Sequence, residues 1–217
     1  MNAGDIAQVM KNLLDKVKEN PNFYLGKPSI TSLRFFLNGY FYIHRELKSE
    51  FTGFQEWIEK REKIIVSQSW AGIVLFGCGS ERTAFYRFFE LYEQFREEKT
   101  PTIERKMKSL NLLELYQLLE AIRKRPGMFL GTKSISNLYM FLKGIDFAKR
   151  ELNLALTEQE QEFLGLQKWM QQKLGIQPKR SWDRMIIFYS VDEVDALDKF
   201  FQLFEEWKNE KNEKQNI

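Results

Sequence analysis

Apolar side chains recur every three or four residues along most of the chain, which is the spacing of amphipathic helices. The first such segment carries Ile6, Val9, Met10, Leu13, Leu14 and Val17. A later segment carries Leu115, Leu118, Leu119 and Ile122 at a similar spacing. A proline follows each segment, and proline disfavours helical geometry at the residue before it. The pattern therefore predicts two equivalent helices, each of which ends at a proline.

The similarity between these two parts of the chain extends well beyond their first helices. Residues 21–26 align with residues 126–131, and the same offset continues to residues 45–47 and 150–152. After a short insertion within residues 153–161 the match resumes, with Trp57 against Trp169, Trp70 against Trp182 and Phe88 against Phe200. Many matches in one order with a single gap indicate two copies of one module. We place the copies at residues 1–99 and 100–217, and the charged stretch 97–109 is the predicted linker.

Each copy is predicted to be mainly α, with four to five helices. Gly26 and Gly131 fall in the loop after the proline, where a positive φ is expected. Ser29 and Ser134 are predicted to cap the next helix. That helix contains an internal glycine in both copies, Gly39 and Gly144, which indicates close helix packing or a bend. Its apolar face is predicted to continue to Leu47 and Leu152, and Ser190 with Glu193 has the spacing of a capping box before the last helix.

Two short apolar runs fit two interpretations. Residues 73–76 and 185–188 are rich in β-prone side chains, so each could form a short strand. Trp70, Ile73, Val74 and Gly77 also fit helical spacing, as do their counterparts Trp182, Met185, Ile186 and Tyr189. A strand would need a pairing partner, and the natural one is the same segment of the other copy. We favour the helical interpretation.

Composition narrows the classes of function. The chain has 217 residues, of which 43% are hydrophobic and 29% charged, and its formal net charge is only +3. Nucleic-acid binders usually show a stronger or segregated basic excess, so nucleic acid is disfavoured as a partner. No apolar run approaches the ~20 residues that span a bilayer, so no membrane partner is expected. A single cysteine and the absence of a signal-peptide pattern lead us to expect a cytoplasmic protein.

The residues that usually carry chemistry are scarce. His44 is the only histidine and Cys78 the only cysteine, which is too few ligands for a zinc site. We interpret His44 as a surface or boundary residue and Cys78 as a structural thiol. The recurring tryptophans are interpreted as core. We therefore expect no catalytic residues, no metal and no cofactor, and conclude that the protein is not an enzyme.

One local string resembles a known nucleotide-binding family. Residues 120–131 resemble the start of the ATPase domain of the DNA gyrase B subunit. Their sequence is Glu-Ala-Ile-Arg-Lys-Arg-Pro-Gly-Met-Phe-Leu-Gly. In that family the next helix supplies a glutamate and an asparagine that act on water and magnesium. The helix that follows here has no such pair, and the later Asp-x-Gly-x-Gly loop is missing. We therefore judge this resemblance misleading.

The candidate partner-binding residues lie around the two prolines. Aromatic and apolar side chains on these predicted loops are expected to be partly exposed, and basic side chains precede the second proline. The candidates are Phe23, Tyr24, Arg123, Arg125, Met128 and Phe129.

As a unit, the repeated pattern resembles bacterial immunity proteins, which are encoded beside polymorphic toxins. Each copy has an amphipathic helix, a proline-glycine corner, a Ser-Ile-x-x-Leu-x-x-Phe-Leu-x-Gly helix, a Ser-Trp segment and an aromatic last helix. The resemblance covers nearly the whole chain and implies a cytoplasmic protein that binds a cognate toxin and blocks its active site. Two alternatives remain open: a regulatory or scaffold protein that forms homodimers through its aromatic helices, and a nucleotide-binding enzyme.

Overall fold

All regular secondary structure is helical in the computed structural model, which describes residues 3–64, 68–98, 112–176 and 180–215. The prediction of a mainly α fold is confirmed. Residues 73–76 and 185–188 lie within helices, so the strand interpretation is wrong. Helical geometry places Ile73 and Val74 together on a buried face, whereas a strand would point them to opposite sides.

The chain divides into two compact units. Unit 1 comprises Met1–Leu110 together with Met140–Ala148, and unit 2 comprises Asn111–Tyr139 together with Lys149–Ile217. The predicted junction between residues 99 and 100 lies outside the described residues. Unit 1 also contains a segment that the sequence assigned to the second copy.

In the first copy a single-turn helix and a 3₁₀ helix accompany the longer helices. The elements are α1 Ala3–Glu19, α2 Pro21–Leu25, α3 Ile30–Ile43, a 3₁₀ helix Arg45–Phe51, α4 Phe54–Glu62, α5 Trp70–Cys78 and α6 Glu81–Glu98. The second copy has the same order, with an α-helix in place of the 3₁₀ helix. Its elements are α7 Leu115–Lys124, α8 Pro126–Leu130, α9 Ile135–Glu151, α10 Glu158–Phe163, α11 Leu166–Lys173, α12 Trp182–Phe188 and α13 Glu193–Gln215.

The described helices outnumber the four to five predicted for each copy because the proline starts a helix as well as ending one. Pro21 and Pro126 occupy the first turn of α2 and α8, where the missing N–H costs nothing. Gly26 and Gly131 end these helices with φ of 76° and 68°. The predicted positive φ is confirmed at both positions, and it is a conformation that only glycine adopts without strain.

The internal glycines mark a close approach of two helix backbones within unit 1. A Cβ atom at Gly39 of α3 would overlap the carbonyl oxygen of Phe141 in α9. In return, a Cβ atom at Gly144 would overlap the carbonyl oxygen of Phe36. The predicted close packing is confirmed. The contact is reciprocal because Gly39 aligns with Gly144 and Phe36 aligns with Phe141, so each helix supplies both a glycine and the carbonyl group that the other glycine faces.

Large aromatic side chains fill the core of each unit. In unit 1 the Phe51 ring stacks on Tyr92 at 4.8 Å between centroids, and Phe54 meets Phe88 edge-on at 5.9 Å. In unit 2 the Trp182 ring lies 4.7 Å from Phe200. The prediction that Trp182 is a core residue is confirmed, since its side chain is buried.

Trp57 and Trp169 occupy aligned positions, are half-buried, and each form a hydrogen bond to the last helix of their copy. The Trp57 indole N–H donates to Glu98 at 2.8 Å, and the Trp169 indole N–H donates to Glu210 at 2.8 Å. An indole N–H that leaves water needs such an acceptor. These residues therefore combine apolar packing with one specific hydrogen bond.

Two detailed predictions are wrong. Leu152 is exposed, because α9 ends at Glu151 and the insertion begins there, so the residue does not repeat the burial of Leu47. Ser190 does not cap the last helix, since its hydroxyl donates to the carbonyl of Ile186 at 2.8 Å. Asp192 takes the capping position instead, where its carboxylate accepts from the N–H of Asp195 at 2.8 Å.

Candidate partner-binding surface

The proline corners place only some of the predicted partner-binding residues at the surface. Phe23 and Met128 occupy equivalent positions in α2 and α8, and their exposed fractions are 69% and 67%. Phe129 is half-buried. Because α2 and α8 are helices, successive side chains point in different directions, and only one apolar side chain of each corner faces solvent fully.

Tyr24 does not belong to an exposed surface. Its side chain is buried, and its ring meets Phe147 at 5.0 Å and Phe36 at 6.1 Å, both edge-on. The expectation of partial exposure is therefore wrong for this residue. It was derived from a loop, whereas the single helical turn of α2 directs Tyr24 into the aromatic core of unit 1.

Of the two basic candidates before Pro126, Arg123 contacts its own unit, whereas Arg125 is exposed. The Arg123 guanidinium lies 5.7 Å from the centroid of the Phe201 ring and 3.8 Å from the carboxylate of Glu205. Lys18, at the equivalent position of unit 1, lies 5.4 Å from the Phe89 ring. A cation over an aromatic face is attracted by the ring quadrupole, so both residues cover part of their own unit. Arg125 is exposed at the start of α8.

Two matching clusters of hydroxyl groups and a glutamate join the start of the second long helix to the start of the last one. In unit 1, Glu81 accepts from the Ser29 hydroxyl at 2.8 Å and from the Thr31 hydroxyl at 2.7 Å. In unit 2, Glu193 accepts from the Ser134 hydroxyl at 2.8 Å and from the Ser136 hydroxyl at 2.7 Å. Both oxygens of each carboxylate accept hydrogen bonds within the fold, which indicates a structural role.

The predicted helix caps form part of these clusters. Ser29 also accepts from the N–H of Ser32 at 3.1 Å, and Ser134 accepts from the N–H of Asn137 at 3.2 Å. Each serine therefore caps its helix and donates to the glutamate at the same time. Both predicted N-caps are confirmed.

The most exposed aromatic side chains lie at the ends of α5 and α12. Phe76 is 80% exposed and its aligned counterpart Phe188 is 76% exposed. Exposing a large aromatic side chain forgoes the free energy of its burial, about 1.5–3 kcal/mol. The same exposure at two aligned positions makes these residues the leading candidates for contact with a partner.

In unit 2 the exposed apolar surface continues from α12 into α13. Residues 188–194, which we name the 188–194 turn, expose Phe188, Tyr189, Val191 and Val194. Val191 is 92% exposed, although its own N–H donates to the Asp195 carboxylate at 2.9 Å. We name the aligned segment of unit 1, residues 76–82, the 76–82 turn. It carries Gly77, Cys78 and Gly79 where the other turn carries Tyr189, Ser190 and Val191.

Sequence reasoning missed Phe76 and Phe188 as surface residues because both lie in continuous apolar runs. A usable signal was present in the spacing. Helical positions 70, 73, 74 and 77 share one face, and residue 76 falls outside that set. The same holds for residue 188 beside positions 182, 185, 186 and 189. The helical interpretation therefore sets these phenylalanines apart from the predicted inner face, although Tyr189, which belongs to that face, is exposed as well.

The scarce chemical residues are dispersed. His44 is buried and its ring stacks on Tyr40 at 5.9 Å between centroids, so the interpretation as a surface or boundary residue is wrong. Cys78 is half-buried, and burial raises the pKa of its thiol. Within the described residues, no three His, Cys, Asp or Glu side chains are grouped so as to hold a metal ion.

Among the described residues, Asp183 is the only buried carboxylate. Unit 1 has Ala71 at the aligned position. The Oδ1 atom of Asp183 has no hydrogen-bond partner in the described part of the chain. Desolvation raises the pKa of this carboxyl, and hydrogen bonds from the Ser181 side chain and the Arg184 N–H lower it only in part. A buried carboxylate with an oxygen that lacks a partner is costly, so the group bears on stability.

None of the helices in the described ranges combines the length and apolar character needed to cross a membrane. No protein-family model matches the chain, and neither a curated protein nor a solved structure is significantly similar to it.

Proposed function

We propose that this protein is a non-enzymatic binding protein of the immunity type, which neutralises a cognate bacterial toxin by docking on it and blocking its active site. The observation that carries the proposal is the paired exposure of Phe76 and Phe188. Exposed aromatic side chains on a helical scaffold are typical anchors of protein interfaces. The repeated sequence pattern that resembles immunity proteins supplies the kind of partner.

The burial of the other aromatic side chains argues against the scaffold alternative. A homodimer through the aromatic helices would need exposed rings on α6 and α13. Tyr86 of α6 is 36% exposed, but most of the rings are buried within their own units, at Phe85, Phe88, Phe89, Phe95, Phe200, Phe201, Phe204 and Trp207. Among the described residues, the most exposed aromatic and methionine side chains lie instead at the ends of α5 and α12 and at the proline corners.

Growth rescue tests the proposal. The proposal predicts that a toxin-like protein is encoded immediately upstream. That protein is expressed with and without this chain, and growth of the host is measured. We expect wild type to restore growth and to co-purify with the toxin as a stable complex. The double substitution Phe76→Asp, Phe188→Asp should abolish both effects, because a charge in a desolvated contact is costly.

A matched control uses the proline corners. The double substitution Phe23→Asp, Met128→Asp changes two side chains of similar exposure elsewhere on the same units. Loss of rescue in this control alone would move the interface to the corners. Failure of the wild-type chain to restore growth or to bind the toxin would contradict the proposed function.

A further inference from the structure

We propose that the 188–194 turn supplies the larger share of the binding free energy by inserting into an apolar cleft on the toxin, while the 76–82 turn contributes less. The inference rests on the proposed function and assigns its contact surface. Four apolar side chains face solvent in the 188–194 turn: Phe188, Tyr189, Val191 and Val194. At the two glycines and the cysteine of the 76–82 turn, the corresponding apolar area is missing.

Hydrogen bonds fix the shape of the 188–194 turn in advance of binding. The N–H of Val191 donates to Asp195 at 2.9 Å, and the N–H of Val194 donates to Asp192 at 2.9 Å. The Tyr189 hydroxyl donates to the carbonyl of Leu174 at 3.1 Å. Ordering a loop on binding costs free energy, so a turn that is already ordered binds more tightly for the same contact area.

The charges beside the turn are satisfied within unit 2. The Lys199 ammonium donates to Asp195 at 2.7 Å and to the carbonyl of Tyr189 at 2.6 Å. The Asp192 carboxylate accepts two backbone N–H groups of its own helix. The turn therefore presents apolar side chains with its nearby charges already paired, which suits an apolar cleft better than a charged surface.

The size of the patch favours a cleft over a second copy of the chain. At the observed exposures, the four side chains present on the order of 400 Å² of apolar surface. A stable symmetric dimer needs about 800 Å² from each partner. A small apolar patch reaches high affinity when a concave partner surrounds an aromatic side chain, and Phe188 is the more exposed of the two aromatic side chains in this patch.

The inference is tested by measuring how full-length variants bind the toxin-like protein that the proposed function predicts upstream, prepared in a catalytically inactive form. We expect Phe188→Asp to weaken the dissociation constant at least 100-fold and Val191→Asp at least 10-fold. The matched control Phe76→Asp should weaken binding less than 10-fold. Phe188→Leu should retain binding within about fivefold, which separates loss of apolar contact from loss of folding.

The outcomes separate this inference from the proposed function. If wild type binds the toxin and Phe76→Asp weakens binding as much as Phe188→Asp does, the inference is overturned and the function stands. If light scattering shows a dimer that Phe188→Asp dissociates, the turn binds a second copy and the inference is likewise overturned. If wild type does not bind the toxin, the proposed function fails first.

Discussion

At the scale of single residues, the aligned glycines of α3 and α9 are the positions where the smallest side chain matters most. Gly39 and Gly144 each face a backbone carbonyl of the other helix, which cannot move aside as a flexible side chain can. Glycine inside a helix costs about 1 kcal/mol relative to alanine, so its presence needs a compensating contact. The close approach of the two backbones within unit 1 is that compensation.

Alanine substitution at Gly39 is expected to destabilise the protein by more than about 2 kcal/mol, because the added Cβ overlaps the carbonyl oxygen of Phe141. Chemical denaturation monitored by circular dichroism measures the change. Gly77→Ala is the matched control, since Gly77 is also helical and nothing lies within 4 Å of its Cβ position. The control should be neutral or slightly stabilising, and equal losses in both variants would contradict the packing argument.

Asp183 is expected to destabilise unit 2 at neutral pH. Burial raises the pKa of Asp183 in the folded state above the ordinary 3.8. The free energy of unfolding is therefore reduced at pH values above that raised pKa, where the buried carboxylate is charged. This reduction disappears as the pH falls towards 3.8. Asp183→Asn should therefore raise the free energy of unfolding at pH 7 by about 1 kcal/mol.

Denaturation curves between pH 7 and pH 4 test this sign. The advantage of the Asp183→Asn variant should shrink as the pH falls. The mirror substitution Ala71→Asp buries a carboxyl at the aligned site of unit 1 and should be destabilising at pH 7. An Asn variant that is less stable than wild type at pH 7 would show that the carboxylate is stabilised by its surroundings.

At the scale of helices, the hydroxyl–glutamate clusters tie helix termini that are distant in the sequence. Glu81 and Glu193 each accept two hydroxyl groups and a backbone N–H, which are charge-assisted hydrogen bonds at the N-terminal end of a helix. The helix dipole also favours a carboxylate at that end. The same device in both copies fixes where the second long helix begins and how the last helix is aligned against it.

Glu81→Gln is expected to lower the free energy of unfolding by about 1–2 kcal/mol at pH 7, because charge-assisted hydrogen bonds are lost. Desolvation raises the pKa of Glu81, but hydrogen bonds from Thr31 and Ser29 outweigh it and hold that pKa below the ordinary 4.5. The stabilisation is therefore present above pH 4.5 and is lost as the pH falls through the lowered pKa.

The difference between wild type and Glu81→Gln should accordingly narrow in denaturation experiments below pH 4.5. Glu90→Gln serves as the control, since Glu90 pairs with Arg87 at the surface and exposed pairs contribute less than about 1 kcal/mol. If the two variants lose equal stability, the cluster has no special role.

At the scale of the whole molecule, both units bury large aromatic side chains, and yet each exposes a phenylalanine at the aligned positions 76 and 188. Phe51, Phe54 and Phe88 surround one another in unit 1, while Phe76 extends into solvent from the end of α5. An exposed large side chain gains little from folding, because most of its surface stays in water. The exposed phenylalanine is therefore expected to contribute to an interaction with another molecule.

The double substitution Phe76→Ser, Phe188→Ser is expected to leave the melting temperature within about 2 °C of wild type, because neither ring is buried. Calorimetry measures this directly. Phe88→Ser removes a fully buried ring and should cost about 3–5 kcal/mol. A large loss of stability in the double variant would show that the two phenylalanines serve the fold itself.

Local patterns in the sequence determined the helices of this protein. Apolar spacing places α1, α3, α6 and their counterparts, the prolines and glycines set the corners at Gly26 and Gly131, and Ser29 and Ser134 cap the helices that follow. Each of these features depends on residues within a few positions of one another. Such signals are legible in a sequence because backbone geometry and short-range hydrogen bonds follow directly from residue type.

The tertiary structure alone decided which side chains are buried where distant segments meet. Tyr24 is buried because Phe147 reaches it from another part of the chain, and Glu193 serves the Ser134 cluster where its local spacing had indicated a capping box. Phe188 remains exposed because nothing in the described chain covers the outer face of α12. Burial depends on contacts between remote residues, and those contacts are absent from any local pattern.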